Sequence, residues 1–306
     1  MTLISSLPTT QLYKQLSNHG LAIEIGPFCI HAQSKINSLA EHFKLMYDDY
    51  PIVLEPFSDF HIDLKRPKGL RHSIYPQVDF YSDIEKPFKP LPLNQTNAFF
   101  EWGLNWCIAT MAHQYMIIHA AVVARGENAL LLPGRPGAGK STLCAALIHR
   151  GWRLLSDEMA LIDPLTGSVT PIPRPVSLKN ASIDVIQRFA PEAVFGPVIN
   201  DTHKGTVAHI KAPEASIQQK NDKAVIRWVV FPEYHKGSAL EISRANSARV
   251  LMDLVGQTFN FGTLGLIAFQ ALNDIVNQAD PLHFRYGVLE EAIEWFDALQ
   301  PLECDS

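Results

Sequence analysis

The chain has 306 residues and carries 26 Lys and Arg against 31 Asp and Glu, a formal charge of −5. With 47% hydrophobic and 19% charged residues it has the composition of a globular chain, which excludes a disordered one. The length points to two domains or one domain with an extension, and the mild acidity gives no electrostatic footprint for a nucleic acid.

Residues 1–96 read as a small α+β domain. Leu21–Ile25 and Phe28–Ile30 form an expected strand pair turning at Gly26-Pro27. Lys35 to Tyr47 has helical spacing, with Ile36, Leu39, Ala40, Phe43 and Met46 on one face. Phe60–Leu64 alternates like a half-buried strand, and the proline-dense Lys86–Leu93 is expected to act as a linker, since it cannot sit inside a sheet. No chemical motif falls in this stretch, so substrate or partner recognition is its expected role.

Residues 97–243 read as the core. Ala98 to Ala112 has the pattern of a helix, and Met116–Ala124 is a near-continuous apolar run of strand length. Arg125–Asn128 follows as a turn and Ala129–Leu132 as a second buried strand, an expected hairpin. Residues 244–306 read as a helical extension packed on the core. Val250, Leu251, Leu254, Val255 and Phe259 share one face, as do Val288, Leu289, Ala292, Ile293 and Phe296.

The N-terminal residues Met1–Ser6 lack a basic region followed by a long apolar run, so no secretory signal is expected. Phe261–Leu272 is broken by glycines, a threonine and a glutamine, short of the ~18 apolar residues of a membrane span. Cys29, Cys107, Cys144 and Cys304 lie far apart without a C-x-x-C pair, which suggests neither zinc nor a disulfide framework. The expectation is a cytoplasmic protein with reduced thiols.

One motif carries chemistry. Gly134-Arg135-Pro136-Gly137-Ala138-Gly139-Lys140-Ser141-Thr142 matches G-x-x-x-x-G-K-[ST] at every fixed position. Glycines let backbone N–H groups turn inward around an anion, and the positive end of the following helix points at the same spot. Lys140 supplies a mobile charge for the β- and γ-phosphates, and the Ser141 hydroxyl is placed to ligate Mg²⁺. The flanks agree: an apolar strand precedes the loop, Leu143, Ala146 and Leu147 make a helical stripe, and Gly151 suits a left-handed cap.

Arg153–Glu158 reads as a short strand closing in adjacent carboxylates, Asp157 and Glu158. If that strand runs parallel to the loop-bearing one, both acids arrive beside the phosphates, one to hold Mg²⁺ and one to accept a hydroxyl proton. Acidic strand ends also occur in plain solvated turns. His119 lies inside the apolar run, where a core histidine is the commoner occupant. Arg174 sits between prolines and can clamp an anion or stand as a surface arginine. Lys204, in the polar stretch Asn200–Gly205, can close over a nucleotide or belong to a solvated turn.

The order His119, hairpin, Gly134–Thr142, then Arg150-Gly151-Trp152-Arg153-Leu154-Leu155-Ser156-Asp157-Glu158 resembles the catalytic domain of HPr kinase/phosphorylase. It more closely resembles the HprK-related kinase A family, as do Pro171–Asn180 and Lys204–His209. The resemblance implies an α/β P-loop core of the HPr kinase and phosphoenolpyruvate carboxykinase type. It places Asp157 as catalytic base, Lys140 as phosphate-binding lysine and His119 as active-site histidine, and it allows a homo-oligomer. Glu158 stands where HPr kinases have a second aspartate, and their downstream glycine- and isoleucine-rich loop is not recognisable, which argues against HPr as substrate and against phosphorolysis.

The expected function is an ATP- and Mg²⁺-dependent kinase for a hydroxyl, a serine of a protein or peptide. Asp157, Lys140 and His119 are its catalytic residues, residues 134–142 its nucleotide loop, and Ser141, Glu158 and Asp157 its metal ligands. A small-molecule kinase and a non-catalytic, nucleotide-gated binding module remain as alternatives.

Overall fold

The computed structural model describes residues 2–54, 57–69 and 74–299. Cys304 lies outside them. The first part is a seven-stranded sheet, built from β1 (Thr2–Leu3), β2 (Leu21–Ile25), β3 (Phe28–Ser34), β4 (Pro51–Ile52), β5 (Phe60–Lys65), β6 (Gln77–Ser82) and β7 (Leu91–Pro92). Its order is β1-β4-β2-β3-β5-β6-β7. The hairpin expected at Gly26-Pro27 is present, with Ile25 opposite Phe28. Helices α1 (Thr9–Asn18) and α2 (Asn37–Met46) belong to this layer; in α2 Leu39, Ala40, Phe43 and Met46 are buried, following the expected stripe. The proline-dense segment ends in the two-residue β7 at the sheet edge, where a missing N–H is tolerated.

Helix α3 (Thr96–Met111) then leads into β8 (Met116–Ile118), β9 (Ala120–Arg125) and β10 (Asn128–Pro133). The hairpin of β9 and β10 turns at Gly126-Glu127. After α4 (Lys140–Ile148) come β11 (Arg153–Ser156), β12 (Ala160–Ile162) and β13 (Ser168–Thr170). A three-stranded sheet of β14 (Val176–Lys179), β15 (Ile199–Thr202) and β16 (Gly205–Ile210) follows, with α5 (Ala181–Phe189) inserted, then α6 (Glu214–Gln218) and the long β17 (Ala224–Tyr234). The chain continues through β18 (Glu241–Arg244), α7 (Ser247–Gln257), α8 (Phe261–Leu264), α9 (Leu266–Gln278), β19 (Asp280–Tyr286) and α10 (Leu289–Ala298).

The central sheet runs β11-β9-β10-β17-β13-β12-β8, and β19 joins the second half of β17 in parallel. Because β9 is antiparallel to both neighbours, β10 and β11 point the same way and end at the same edge. Side chains of the sheet alternate between two cores. Ile117, Ala121, Val123, Leu130 and Leu132 face the one shared with α4, α10 and the N-terminal layer. Ile118, Ala120, Val122, Ala129 and Leu131 face the one closed by α7 and α9. This double burial explains why β9 and β10 are apolar at nearly every position.

The structure departs from two sequence expectations. The run Met116–Ala124 is not one strand: it breaks at His119, where the backbone N–H turns aside to donate to the Gln257 carbonyl at 2.8 Å. The stretch after residue 244 is not purely helical, because β19 supplies a strand to the central sheet. Its residues Phe284 and Tyr286 are buried while His283 and Arg285 are exposed, a period-two pattern that Pro281 and the charged residues obscure in sequence.

The N-terminal layer shares its apolar core with the rest of the chain, a cluster reaching from Ile4 to Phe296. The Tyr50 hydroxyl donates to the Pro173 carbonyl at 2.9 Å, and Lys211 pairs with Asp49 at 2.7 Å. At Gly26, with φ of 57°, an added Cβ would stand 2.5 Å from the Pro171 carbonyl oxygen, so the hairpin tip abuts the core directly. Among the described residues no helix is long and apolar enough to cross a membrane.

Candidate active site

The glycine loop joins the end of β10 to the start of α4, the strand–loop–helix order expected from the motif. Gly134, Gly137 and Gly139 all have positive φ (148°, 87° and 98°), which lets the loop curl without steric conflict. The first loop amide is already occupied: Gly134 N–H donates to Gln257 Oε1 at 2.7 Å. Lys140 folds back over the loop, its Nζ donating to the carbonyls of Gly134 and Arg135. Burial pulls its pKa down, opposed by the charge of Asp157. Arg135 is exposed, and its carbonyl also accepts from Ala138 N–H at 3.2 Å.

Gly139 is pinned from outside the motif. A Cβ there would lie 2.4 Å from the Tyr286 hydroxyl of β19, in a backbone conformation that side chains already disfavour. Gly139→Ala is therefore expected to displace the loop at a stability loss of about 1–3 kcal/mol, which a thermal melt of the variant checks.

The acidic pair is placed by the register of the sheet. Residues 116–125 run antiparallel to residues 153–162, but the ladder opens between Val122↔Ser156 and Ile118↔Ala160. The gap holds His119 on one chain segment and Asp157-Glu158 on the other. All three line one cleft with Pro136, Gly137 and Gly139–Thr142 of the loop and its helix. The cleft has a volume of roughly 1210 Å³. Trp102, Asn105 and Trp106 of α3 form a wall, Val185, Arg188 and Phe189 of α5 another, and Tyr234, Tyr286 and Phe259 contribute aromatic surface.

Asp157 is 7% exposed, and its Oδ2 accepts the Ser177 N–H at 2.9 Å. Burial, then the adjacent Glu158 charge, pushes its pKa up to about 6, against the pull of the Ser177 amide and the Ser141 hydroxyl. Burial also acts upward on Glu158, but Lys204, Lys179, Arg174 and His119 together hold it below the usual value. Its carboxylate accepts from Asn105 and lies 3.7 Å from Lys179 Nζ. Two adjacent acids thus separate into one that stays ionised and one that takes up a proton near neutrality. His119, half-buried with its ring 5.7 Å from that of Phe259, has its pKa lowered by burial and by Lys140, so it is neutral at pH 7.

The two outlying candidates take different positions. Lys204 lines the cleft near the tip of the β15–β16 hairpin, with Nζ 5.1 Å from the Trp102 ring centre. Arg174 does not line the main cleft. It is 9% exposed, donates to Asn105 Oδ1 and stands 3.6 Å from Glu101 Oε2. Glu101, Asn105, Lys179 and Gln257 have no counterpart among the sequence-derived candidates. Glu101 and Asn105 lie four residues apart on α3, and a lone acid in an otherwise apolar helix is the signal that could have found them. For Gln257 there is none, since its partner is 123 residues away.

Glu101 is buried and also accepts from Tyr47 Oη at 2.7 Å and pairs with His42 at 2.9 Å. Burial works against its charge, yet His42, Arg174 and His209 hold its pKa at about 2. A depressed carboxylate stabilises the fold fully above its unfolded value near 4.5, and the contribution fades as pH falls toward 2. Glu101→Ala is expected to lose about 3–5 kcal/mol at pH 7, because Arg174 is left buried without its partner. Urea unfolding at pH 7 and pH 3 should show the difference shrinking in acid.

Among the described residues no three His, Cys, Asp or Glu side chains cluster to hold a metal by themselves. The oxygen set of Ser141, Asp157 and Glu158 nevertheless suits Mg²⁺, which takes one or two carboxylates and fills its remaining positions with water and phosphate oxygens.

No protein-family model matches the chain, and no curated protein matches it. Among solved structures, the Hpr(Ser) kinase/phosphatase from Coxiella burnetii is similar to it at 12% identity, over 60% of this chain and 92% of that one, with a TM-score of 0.27. A superposition this loose assigns neither fold nor chemistry.

Proposed function

We propose that this chain is a kinase that transfers the γ-phosphoryl group of ATP to a hydroxyl, a serine of a protein or peptide, in the cytoplasm. The observation that carries the reading is the meeting of two features in one cleft. A glycine loop with a lysine folded over it opens onto a buried aspartate whose pKa is pushed up to about 6, where a proton acceptor for a hydroxyl works best.

In this reading the loop amides and Lys140 neutralise the phosphates, Lys140 leaving the Gly134 and Arg135 carbonyls for the β- and γ-oxygens. Asp157 accepts the acceptor's hydroxyl proton as the new O–P bond forms and the bond from the γ-phosphorus to the bridging oxygen breaks, releasing ADP. Ser141, Glu158 and Asp157 would hold Mg²⁺, which when bound supplies charge neutralisation at the β- and γ-phosphates. Glu158 is engaged by Asn105 and Lys179, so it reaches a metal by exchanging a partner or through water. Neutral His119 contributes a hydrogen bond rather than a charge. The serine assignment follows the resemblance of His119, residues 134–142 and residues 150–158 to HPr kinases.

The cleft is larger than a common single-ligand pocket of about 300–1,000 Å³, which favours a bulky acceptor beside the nucleotide over a small metabolite. Binding alone needs no buried base, which disfavours a non-catalytic module. Incubation with γ-labelled ATP, Mg²⁺ and separate pools of proteins and metabolites tests the proposal. Labelled serine in a protein supports it; ATP bound without transfer to either pool overturns it.

A further inference from the structure

Beside the main cleft lies a small side cavity of roughly 10 Å³, room for about one water molecule. It shares Trp102, Asn105, Asp157, Glu158 and Ser177 with the cleft, so it opens off the floor on which the two acids stand. Among the buried side chains of its wall, Asp157, Arg174, Ser177 and His209 are 7, 9, 6 and 3% exposed. Each buries a polar atom that has no hydrogen-bond partner, namely Asp157 Oδ1, Arg174 Nη1, Ser177 Oγ and His209 Nε2. Arg174 Nη1 reaches Glu101 only at 3.6 Å, too far for a hydrogen bond. Four side chains that line one cavity, each with an unpartnered buried polar atom, are costly unless something neutral and water-sized joins them.

The donor count identifies the occupant. Arg174 can only donate, and the Asp157 carboxyl oxygen offers lone pairs to accept. The Ser177 hydroxyl does either. His209, whose pKa burial lowers to about 4, is neutral at pH 7, so Nε2 accepts or donates according to its tautomer. One water, with two hydrogens to give and two lone pairs to receive, satisfies all four. A cation would meet the Arg174 guanidinium, and an anion would meet Asp157, Glu158 and Glu101.

We propose that this cavity is a built water site, and that its water ties Asp157 to Arg174, Ser177 and His209, making Arg174 and His209 positioning residues for the reaction. The second half rests on the kinase reading; the first does not. Arg174 is itself held by Asn105 and Glu101, and Glu101 by His42 and Tyr47 of α2 and its C-terminal end. The N-terminal layer therefore braces the carboxylate of Asp157 through this water, while the glycine loop is anchored elsewhere, by Gln257 and Tyr286.

The test is a high-resolution crystal structure of the full chain with kinetics of three variants. A single water peak within hydrogen-bonding distance of the four atoms is expected in the wild type. His209→Leu should lose the peak and lower kcat about tenfold with KM for ATP unchanged, whereas His209→Gln should restore both. Ser177→Ala, a one-atom deletion, replaces His209→Leu if the latter does not fold. An empty cavity, at a resolution that shows other buried waters, overturns the site, and a metal peak there does the same. Unchanged kcat in His209→Leu, or an equal rise in KM for ATP, overturns the positioning role. A protein without any phosphotransfer defeats the kinase reading and the positioning role with it, while the peak still decides the water site.

Discussion

Lys140→Ala is expected to abolish phosphoryl transfer, with kcat/KM lower by about a thousandfold and ATP affinity lost in parallel. The size follows from removing the positive donor that buried Lys140 would bring to the phosphates, where one such group is worth about 10²–10³ in rate. Lys140 also satisfies the carbonyls of Gly134 and Arg135, so its loss loosens the loop that carries the remaining phosphate donors. Steady-state kinetics and equilibrium titration with ATP check the two losses separately. Normal ATP affinity in the variant would mean that the lysine serves the fold of the loop and not the nucleotide.

Asp157→Asn separates chemistry from binding. Transfer is expected to fall by at least about a thousandfold while ATP affinity stays within about threefold, because the amide keeps the shape but accepts no proton. The same substitution should stabilise the nucleotide-free protein. In the folded state the Asp157 pKa lies near 6, above its usual 3.8, so between these values the folded chain holds more protons than the unfolded one. Stability then falls as pH rises through that window, and above it the buried carboxylate beside Glu158 is a standing cost. In EDTA at pH 8, Asp157→Asn should melt higher than wild type, by an amount of order 1–3 kcal/mol, and the gap should close below pH 4. Full turnover of Asp157→Asn at saturating ATP would show that another group takes the proton.

That Lys140 and Asp157 meet in one cleft is legible in the amino-acid order alone, and for both residues the cause is the same. Residues 128–158 form a local unit: strand, glycine loop, helix, strand. Its signals are composition and spacing within a few turns of chain. The positive φ of Gly137 and Gly139 and the cap at Gly151 (φ of 89°) are backbone properties that glycine itself reveals. The β2–β3 hairpin and helix α2 are readable for the same reason, each burying its own periodic stripe.

Other parts depend on partners far along the chain. The apolar run 116–124 carries no mark of its break at His119, which exists because the two halves pair with β12 and with β10 and β11 respectively. Strand β19 is masked by Pro281 and by the exposed His283 and Arg285, and its place is set by the seven-residue register with β17. Arg174, between prolines, has the local setting of an anion clamp; burial against Glu101 and Asn105 turns it inward.

The amino-acid order by itself determined the charged and nucleophile-activating inventory: a mild net charge, one phosphate-type loop with Lys140, and the pair Asp157-Glu158 ending a strand. Backbone sterics and adjacent residues suffice for those features. Only the tertiary structure decided which acid is raised to about 6 and which stays ionised, because that depends on burial and on Lys179, Lys204 and Arg174 brought in from other elements. It alone decided, too, that the N-terminal layer holds Arg174 through Glu101, since electrostatic and hydrogen-bond partners are chosen by packing and not by spacing along the chain.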